Sequence, residues 1–247
     1  MQANVISVYD ECALEDTPMI DAKGISVLIE VDGERVLFDT GMRGRYLIGN
    51  LGNLDVKPES IDKVVISHNH KSNVNGLGKL LDQREGPLDV FVNSQFSQRK
   101  KLFGRPAYSE ERSDKMAVHE MGGNTQITDH LTAVGPFGQL EEYFLVLETR
   151  DGPVVFSSCY HCGTSCVMEA VKGLTGRNPF CLIGGIHVPK ANQQAMDPTA
   201  EVFRKYGSPR LYLNHCAYPN GIIHLRVHFG LNGVKNFYAG TRLRFEV

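Results

Sequence analysis

Five of the nine histidines in this 247-residue chain follow directly after short apolar runs, where they could bind a metal ion or move protons. They are His68, His70, His161, His187 and His215. Short apolar runs of this length are typical of buried strands, and ligands gather where the carboxyl ends of strands meet. Imidazole suits zinc, iron, nickel or copper better than magnesium or calcium. The pattern therefore predicts a metal site, with hydrogen-bonded loop histidines as the alternative.

The elements that must position these histidines form two series along the chain. The first half reads as a hairpin closed by Asp32-Gly33, because Asp-Gly favours a tight hairpin turn, followed by further strands. The predicted strands cover 24–33, 34–39, 63–67, 88–92, 143–148, 154–157, 180–184 and 210–214, and the predicted helices lie at 47–54, from 76, at 165–173 and at 199–206. Residues 94–140 are polar and weakly periodic, which favours an irregular excursion or lid. We expect two sheets with helices outside and no interdomain linker.

Composition excludes several classes of partner. Lys and Arg number 26 against 28 Asp and Glu, a formal charge of −2, so no strong positive field would attract nucleic acid or an anionic membrane. No apolar run approaches the roughly 20 residues that cross a bilayer. The start of the chain has no basic and apolar signal segment, which favours a cytoplasmic protein. Its six cysteines are then expected to be free thiols or metal ligands rather than disulfides.

Several stretches resemble one family over nearly the whole chain: GISVLIEVDGERVLFDTG (24–41), IDKVVISHNHKSNVNGL (61–77), GPVVFSSCYHCG (152–163), IGGIHV (183–188), NHC (214–216) and AGTRLRFEV (239–247). Together they resemble the metallo-β-lactamase superfamily, and within it the branch of dihydropterin–ribofuranosylaminobenzene phosphate synthases. The resemblance implies an α/β fold, an αββα sandwich, formed as a single domain over 1–247. It also implies a metal cleft along one edge between the sheets.

The sequence departs from the superfamily at its central motif, H-x-H-x-D-H. His68 and His70 are present, but Ser72 replaces the aspartate and Asn73 replaces the last histidine. A hydroxyl and a carboxamide are weak, neutral ligands, and Lys71 adds a positive charge. We therefore expect at most one divalent metal, with zinc the first expectation and iron or manganese as alternatives; a site that binds no metal remains open.

The resemblance assigns roles to the remaining candidates. The metal ligands would be His68, His70, His161 and His215, with His187 a fifth ligand or a supporting donor. His215 and His187 could also act as acid or base. Asp39 resembles the family's structural aspartate and would support the metal ligands together with Ser72, Asn73 and Cys159; the alternative for Asp39 is a solvated turn residue.

Other chemistry-bearing residues have weaker patterns. Cys159, Cys162 and Cys166 could hold a soft metal or, with Cys216, a cluster, although buried cysteine is common in cores. His224 and His228 are four apart, so on a helix they would share one face and could chelate a metal; the resemblance instead implies a surface helix here. The basic run 99–101 with Arg105 could bind a phosphate, and Gly76 and Gly78 could face an anion. Solvated charges and ordinary turns are the alternatives for these last two.

Three functions remain open from the sequence. The first is a metal-dependent enzyme that acts on a phosphorylated or pterin-like small molecule, by hydrolysis or by transfer. The second is a non-catalytic ligand-binding or regulatory protein on a decayed enzyme scaffold. The third is an iron or iron–sulfur redox protein that uses the thiols. The sequence does not determine the oligomeric state.

Overall fold

The computed structural model describes residues 1–96, 114–186 and 193–247. The strands in these ranges are β1 (Gln2–Tyr9), β2 (Ser26–Val31), β3 (Glu34–Phe38), β4 (Lys63–Val65), β5 (Leu88–Val92), β6 (Met116–Glu120), β7 (Thr125–Gln126), β8 (Leu131–Phe137), β9 (Glu142–Leu147), β10 (Val154–Ser157), β11 (Cys181–Gly184), β12 (Arg210–Leu213), β13 (Val234–Asn236) and β14 (Arg242–Glu246). The helices are α1 (Gly44–Asn53), α2 (Lys71–Val74), α3 (Leu77–Asp82), α4 (Thr164–Thr175), α5 (Gln193–Lys205) and α6 (Pro219–Gly233).

The strands form two mixed seven-stranded sheets. The first has the order β14-β1-β2-β3-β4-β5-β6, and the second has the order β13-β12-β11-β10-β9-β8-β7. In both sheets the strands that lead to the predicted histidines have parallel neighbours: β4 lies between β3 and β5 in the first, and β10, β11 and β12 are parallel to one another in the second. Parallel neighbours bring their carboxyl ends to the same edge, so the candidate site lies at that edge.

Successive side chains along each strand point to opposite faces of the sheet, and this alternation explains the layers. In β2, Val27 and Ile29 belong to the core between the sheets, whereas Leu28 packs on the opposite face with α1 and α3 residues such as Leu47. The outer face of the second sheet packs against α4, α5 and α6, for example through Phe203. Because both faces of each sheet are apolar, each sheet must be covered twice. The chain therefore has the αββα arrangement that the sequence predicts.

The predicted irregular excursion over 94–140 is wrong for its second part. Residues 116–137 contain β6, which extends the first sheet beside β5, and the β7–β8 hairpin, which forms the edge of the second. These strands lie at sheet edges and carry polar side chains such as His119, so their hydrophobic alternation is weak. Residues 97–113 lie outside the described residues. No described helix combines the length and the apolar character needed to span a bilayer.

Candidate metal centre

Two loops, one from each sheet, carry the candidate metal ligands. His68 and His70 follow β4, and Cys159 and His161 follow β10. The first loop is joined to the second sheet, since the backbone N–H of Tyr143 on β9 donates to the carbonyl of Ser67 at 2.8 Å. At the edge of the second sheet, Gly184 allows a close approach, because a Cβ at this position would lie 2.0 Å from the Ser157 carbonyl oxygen.

His68, His161 and Cys159 form a compact set of donors, which we call the cleft centre. Their ligand atoms all lie within 4.8 Å of one another. The third imidazole, His70, adjoins them: its Nδ1 is 2.8 Å from Nε2 of His68, and its ring centroid is 5.2 Å from that of His161. Imidazole and thiolate are the donors that zinc prefers in proteins. The residues present therefore fit a zinc-class ion.

A buried carboxylate, Asp39, holds the first loop from beneath. It is fully buried at the end of β3, and it accepts hydrogen bonds from the backbone N–H and the hydroxyl of Ser67, both at 2.8 Å, and from Ser158 on the second loop. Burial raises the pKa of Asp39 to about 7, although these hydrogen bonds oppose the shift. Ser67 in turn lies 2.9 Å from Nδ1 of His68, so Asp39 orients the ring through this hydroxyl.

The side chains of Ser72 and Asn73 are hydrogen-bonded to each other, and Asn73 is buried. The amide nitrogen of Asn73 donates to Asp39 at 2.8 Å and to the Ser67 hydroxyl at 3.0 Å. Its amide oxygen accepts from the Ser72 hydroxyl at 2.7 Å. The two residues that replace the superfamily's aspartate and histidine thus satisfy each other and Asp39.

Glu142, a residue that the sequence analysis did not identify, holds the second loop. Its carboxylate accepts from the backbone N–H of Tyr160 at 3.1 Å and of His161 at 2.6 Å. Tyr160 has a φ of 61°, so this turn is in a backbone conformation that non-glycine residues adopt only when neighbours hold it. Burial raises the pKa of Glu142 to about 7. Its position in the apolar strand EYFLVL marks it as a buried acid.

His215 lies in a second chain of contacts at the same edge. Its Nδ1 contacts Asp10 Oδ1 at 2.5 Å, and its Nε2 is 3.3 Å from Cys216 Sγ. Although burial lowers the pKa of His215, the hydrogen bonds to Asp10 and Cys216 outweigh it and raise the pKa to about 11. Cys216 Sγ is 3.9 Å from Cys159 Sγ, and the hydrogen bond from this thiol lowers the pKa of Cys216. His215 therefore reaches the cleft centre through two sulfur atoms.

A cavity of about 480 Å³ opens beside His215. It is lined by Glu11, Cys12, Lys23, Ser72, His215, Cys216, Tyr218, Pro219, Ile222 and Tyr238. This volume suits a small organic ligand. Aromatic and apolar walls with one lysine and one glutamate offer stacking surface together with charged groups at one site.

The remaining predicted residues either lie outside the described residues or have contacts other than those predicted. His187, expected as a ligand or acid–base group, and the basic run 99–101 with Arg105 lie outside the described residues. Cys162 Sγ donates to the Gly163 carbonyl at 3.8 Å, and no three-ligand group among the described residues includes Cys162 or Cys166. Gly76 serves packing rather than anion binding, because a Cβ there would lie 1.9 Å from the Thr40 carbonyl oxygen.

His224 and His228 lie on one face of α6, as their spacing predicts, with Asp197 of α5 against them. The sequence pattern leaves this pair as a possible chelating pair or as surface residues, and it does not mark Asp197. Asp10, which holds His215, is a further residue that the sequence motifs do not include. An acid next to an apolar strand was the available signal for Asp10, whereas nothing local marks Asp197, since it comes from a different helix.

Comparison with known proteins agrees with this geometry. Residues 23–88, which run from β2 into β5, match the profile of the Metallo-beta-lactamase superfamily. The 7,8-dihydropterin-6-methyl-4-(beta-D-ribofuranosyl)-aminobenzene-5'-phosphate synthase of Methanocaldococcus jannaschii is 22% identical over 86% of both chains. Exodeoxyribonuclease WalJ of Streptococcus pneumoniae is 26% identical over 43% of this chain and 40% of its own.

Solved structures extend the likeness to the full fold. Tm1679, a metal-dependent hydrolase of the beta-lactamase superfamily, superposes with a TM-score of 0.76 at 20% identity and covers 98% of both chains. A diphosphatase from the PhnP family superposes with a TM-score of 0.69 at 15% identity and covers 99% of this chain and 98% of its own. The chain thus matches the superfamily's profile over residues 23–88, and it has the metallo-beta-lactamase fold.

Proposed function

We propose that this protein is a mononuclear metal-dependent enzyme that acts on a phosphorylated or pterin-like small molecule. The observation that carries the proposal is the contrast within one motif loop. His68 converges with His161 and Cys159, whereas Ser72 and Asn73, four and five residues further on, bond to each other, and Asn73 also bonds to Asp39. One ion has a strong donor set, and a second ion would have none at the motif positions.

When bound at the cleft centre, a zinc-class ion would supply Lewis-acid polarisation of a substrate oxygen and activation of water. The chain's own residues support this chemistry. Asp39 fixes His68 through Ser67, and Glu142 fixes the backbone of His161, so the donors are held before substrate arrives.

His215 serves as the proton donor in this proposal. Asp10 engages Nδ1 and leaves Nε2 toward Cys216 and Glu11, both of which line the cavity. An imidazolium held in this way can deliver a proton from Nε2 to a leaving group in the cavity. Within the cavity Lys23 can attract a phosphate, while Tyr218 and Tyr238 can flank a planar ring.

The synthase relative makes a pterin-related phosphate, as its name states, and this supports the compound class proposed here. The metal-dependent hydrolase and the diphosphatase with the same fold support hydrolysis as the alternative reaction. Isotope-labelled water separates the two reactions, because label enters the product of hydrolysis but not the product of transfer.

The first test is metal content per chain, by elemental analysis of untagged protein purified without chelator. We expect His68→Ala to contain one zinc, iron or manganese fewer than wild type. His119→Ala is the matched control, because His119 forms an exposed pair with Asp89 and is not part of the cleft centre. Equal metal content in wild type and His68→Ala would overturn the proposal.

The competing function is a non-catalytic binding protein on a decayed scaffold, which the replacement of the motif residues by Ser72 and Asn73 favours. The double substitution Ser72→Asp with Asn73→His separates the two. If the native protein lacks phosphoesterase or transferase activity and this variant gains it, the decayed scaffold is correct. Activity in the native protein that disappears with His68→Ala supports the enzyme.

A further inference from the structure

A second cluster of metal-type ligands lies where α5 packs against α6, on elements that carry no residue of the cleft centre. It consists of Asp197, His224 and His228, and we call it the helix cluster. His224 and His228 are one turn apart on α6, with 9% and 21% of their side chains exposed, and Asp197 faces them from α5. An i, i+4 histidine pair on a helix can bind one ion through both rings.

The three donor atoms have the spacing of one face of a metal's coordination shell. Nε2 of His224 is 3.0 Å from Nε2 of His228, and Oδ1 of Asp197 is 2.8 Å from the first and 3.4 Å from the second. Tetrahedral zinc with bonds of about 2.0–2.1 Å separates its ligand atoms by about 3.3 Å. A small increase in the two shorter distances and a small decrease in the longest would give that geometry.

Protons cannot satisfy all three contacts. A guanidinium nitrogen of Arg204 contacts Nδ1 of His228, and because it can only donate, a neutral His228 carries its proton on Nε2. If this proton goes to His224, the bare Nε2 of His224 faces the carboxylate of Asp197. If His224 instead donates to Asp197, two N–H groups face each other at 3.0 Å.

A cation removes this conflict, because all three atoms can direct lone pairs at it. We propose that Asp197, His224 and His228 form a second site, for a zinc-class divalent transition-metal ion that joins α5 to α6. Two imidazoles with one carboxylate suit zinc, cobalt or nickel, and they disfavour magnesium and calcium. The exposed side of Asp197 leaves room for solvent to complete the shell.

Binding at this site has a specific cost. With an ion on Nε2, neutral His228 carries its proton on Nδ1 and can no longer accept from Arg204. Arg204 must therefore move away, while it keeps the partner that it already has in Glu201 on the same helix. Arg204→Ala should accordingly bind the ion more tightly than wild type, which an indifferent surface site would not do.

The consequence of binding is a cross-link near the cleft. α6 begins two residues after the turn His215–Ala217, which carries His215 and Cys216. An ion shared between α5 and α6 would restrain the helix on which this turn depends. The helix cluster is then a structural site, and it does not depend on the proposed function of the cleft centre.

The test is a zinc titration of the metal-free full chain carrying His68→Ala, with bound zinc measured by equilibrium dialysis. We expect one zinc per chain at micromolar free zinc. Adding His228→Ala or Asp197→Asn should weaken this binding at least tenfold, and adding Arg204→Ala should strengthen it. Adding His119→Ala, which removes an exposed histidine from a histidine–aspartate pair without a second imidazole, should leave it unchanged.

Two results would overturn the proposal. One is equal binding with and without His228→Ala; the other is zinc uptake at only millimolar concentrations. Asp197→Asn keeps the test valid if His228→Ala disturbs folding, because Asp197 is exposed. Zinc should also raise the melting temperature of the His68→Ala protein, and this rise should shrink with Asp197→Asn.

Discussion

The cleft centre and the helix cluster use similar donors but are supported in opposite ways. The cleft centre takes His68, His161 and Cys159 from loops of two sheets, and it needs Asp39 and Glu142 beneath those loops. The helix cluster takes two ligands from one turn of α6, which the helix itself positions. A site made from loops requires buried polar support, whereas an i, i+4 pair requires only a partner helix.

The largest expected difference between the two regions is in stability. Asp39→Ala removes the acceptor of donors on Ser67, Asn73 and Ser158, and the buried groups left behind should cost about 3 kcal/mol or more of the free energy of unfolding. Asp197→Ala should leave the free energy of unfolding of the metal-free protein nearly unchanged, because Asp197 is exposed. Urea denaturation measures both. Equal losses would remove the distinction between the regions.

The next effect is on metal affinity. Glu142→Gln places an NH₂ group against one of the backbone N–H groups that the carboxylate now binds, so the turn that presents His161 loosens. We expect the cleft centre to bind zinc about 10–100-fold more weakly and the helix cluster to be unaffected. The exposed Glu148→Gln is the control. Equal weakening at both sites would instead indicate general destabilisation.

The pH dependence of the free energy of unfolding should report on Glu142, the carboxylate that supports the cleft centre. The pKa of Glu142 is raised from 4.5 to about 7 by burial, so the native state holds this proton to higher pH than the unfolded state does. The free energy of unfolding must therefore fall as the pH rises from about 4.5 through 7, by about 1.4 kcal/mol for each unit of pKa difference. In metal-free protein, Glu142→Gln should flatten this fall. If the free energy of unfolding of Glu142→Gln has the same dependence on pH as that of wild type, the fall does not come from the raised pKa of Glu142.

The smallest expected effect concerns the thiol. Cys159→Ser keeps the loop and replaces sulfur by a weaker ligand for a zinc-class ion, so a several-fold loss of affinity is expected. The sharper readout is the near-ultraviolet sulfur-to-cobalt band of the cobalt-loaded protein, which should disappear. Cys166→Ser is the matched control, since no three-ligand group among the described residues includes Cys166. If the band survives in Cys159→Ser and is lost in Cys166→Ser, then Cys166 is the sulfur ligand and Cys159 is not.

Much of the architecture could be predicted from sequence because it depends on local patterns. Asp32 and Gly33 form the predicted hairpin turn with φ values of 57° and 80°, and the apolar runs before His68 and His215 form buried strands. The edge strands β6 to β8 could not be predicted in this way. Their pairing with β5 and β9 comes from neighbours distant in sequence, and their own side chains are mixed in polarity.

The predicted site shows the same division. Residues that follow strands were identified from the sequence, and the placement of His68 and His161 in one donor set with Cys159 is seen in the structure. Cys159 was expected to support the ligands, but its sulfur lies among the donor atoms. The orientation of a side chain in an irregular loop depends on what holds that loop, and Glu142 is 19 residues from His161 along the chain.

The sequence by itself determined the layers, the edge at which the strands end and the loss of the motif's aspartate and histidine, because periodicity, turn chemistry and residue type are local properties. Only the tertiary structure decided which carboxylates hold which loops, how Asn73 is satisfied and that Asp197 faces His224. These contacts join segments from different elements, and burial at their meeting point sets the pKa values of Asp39 and Glu142 near 7.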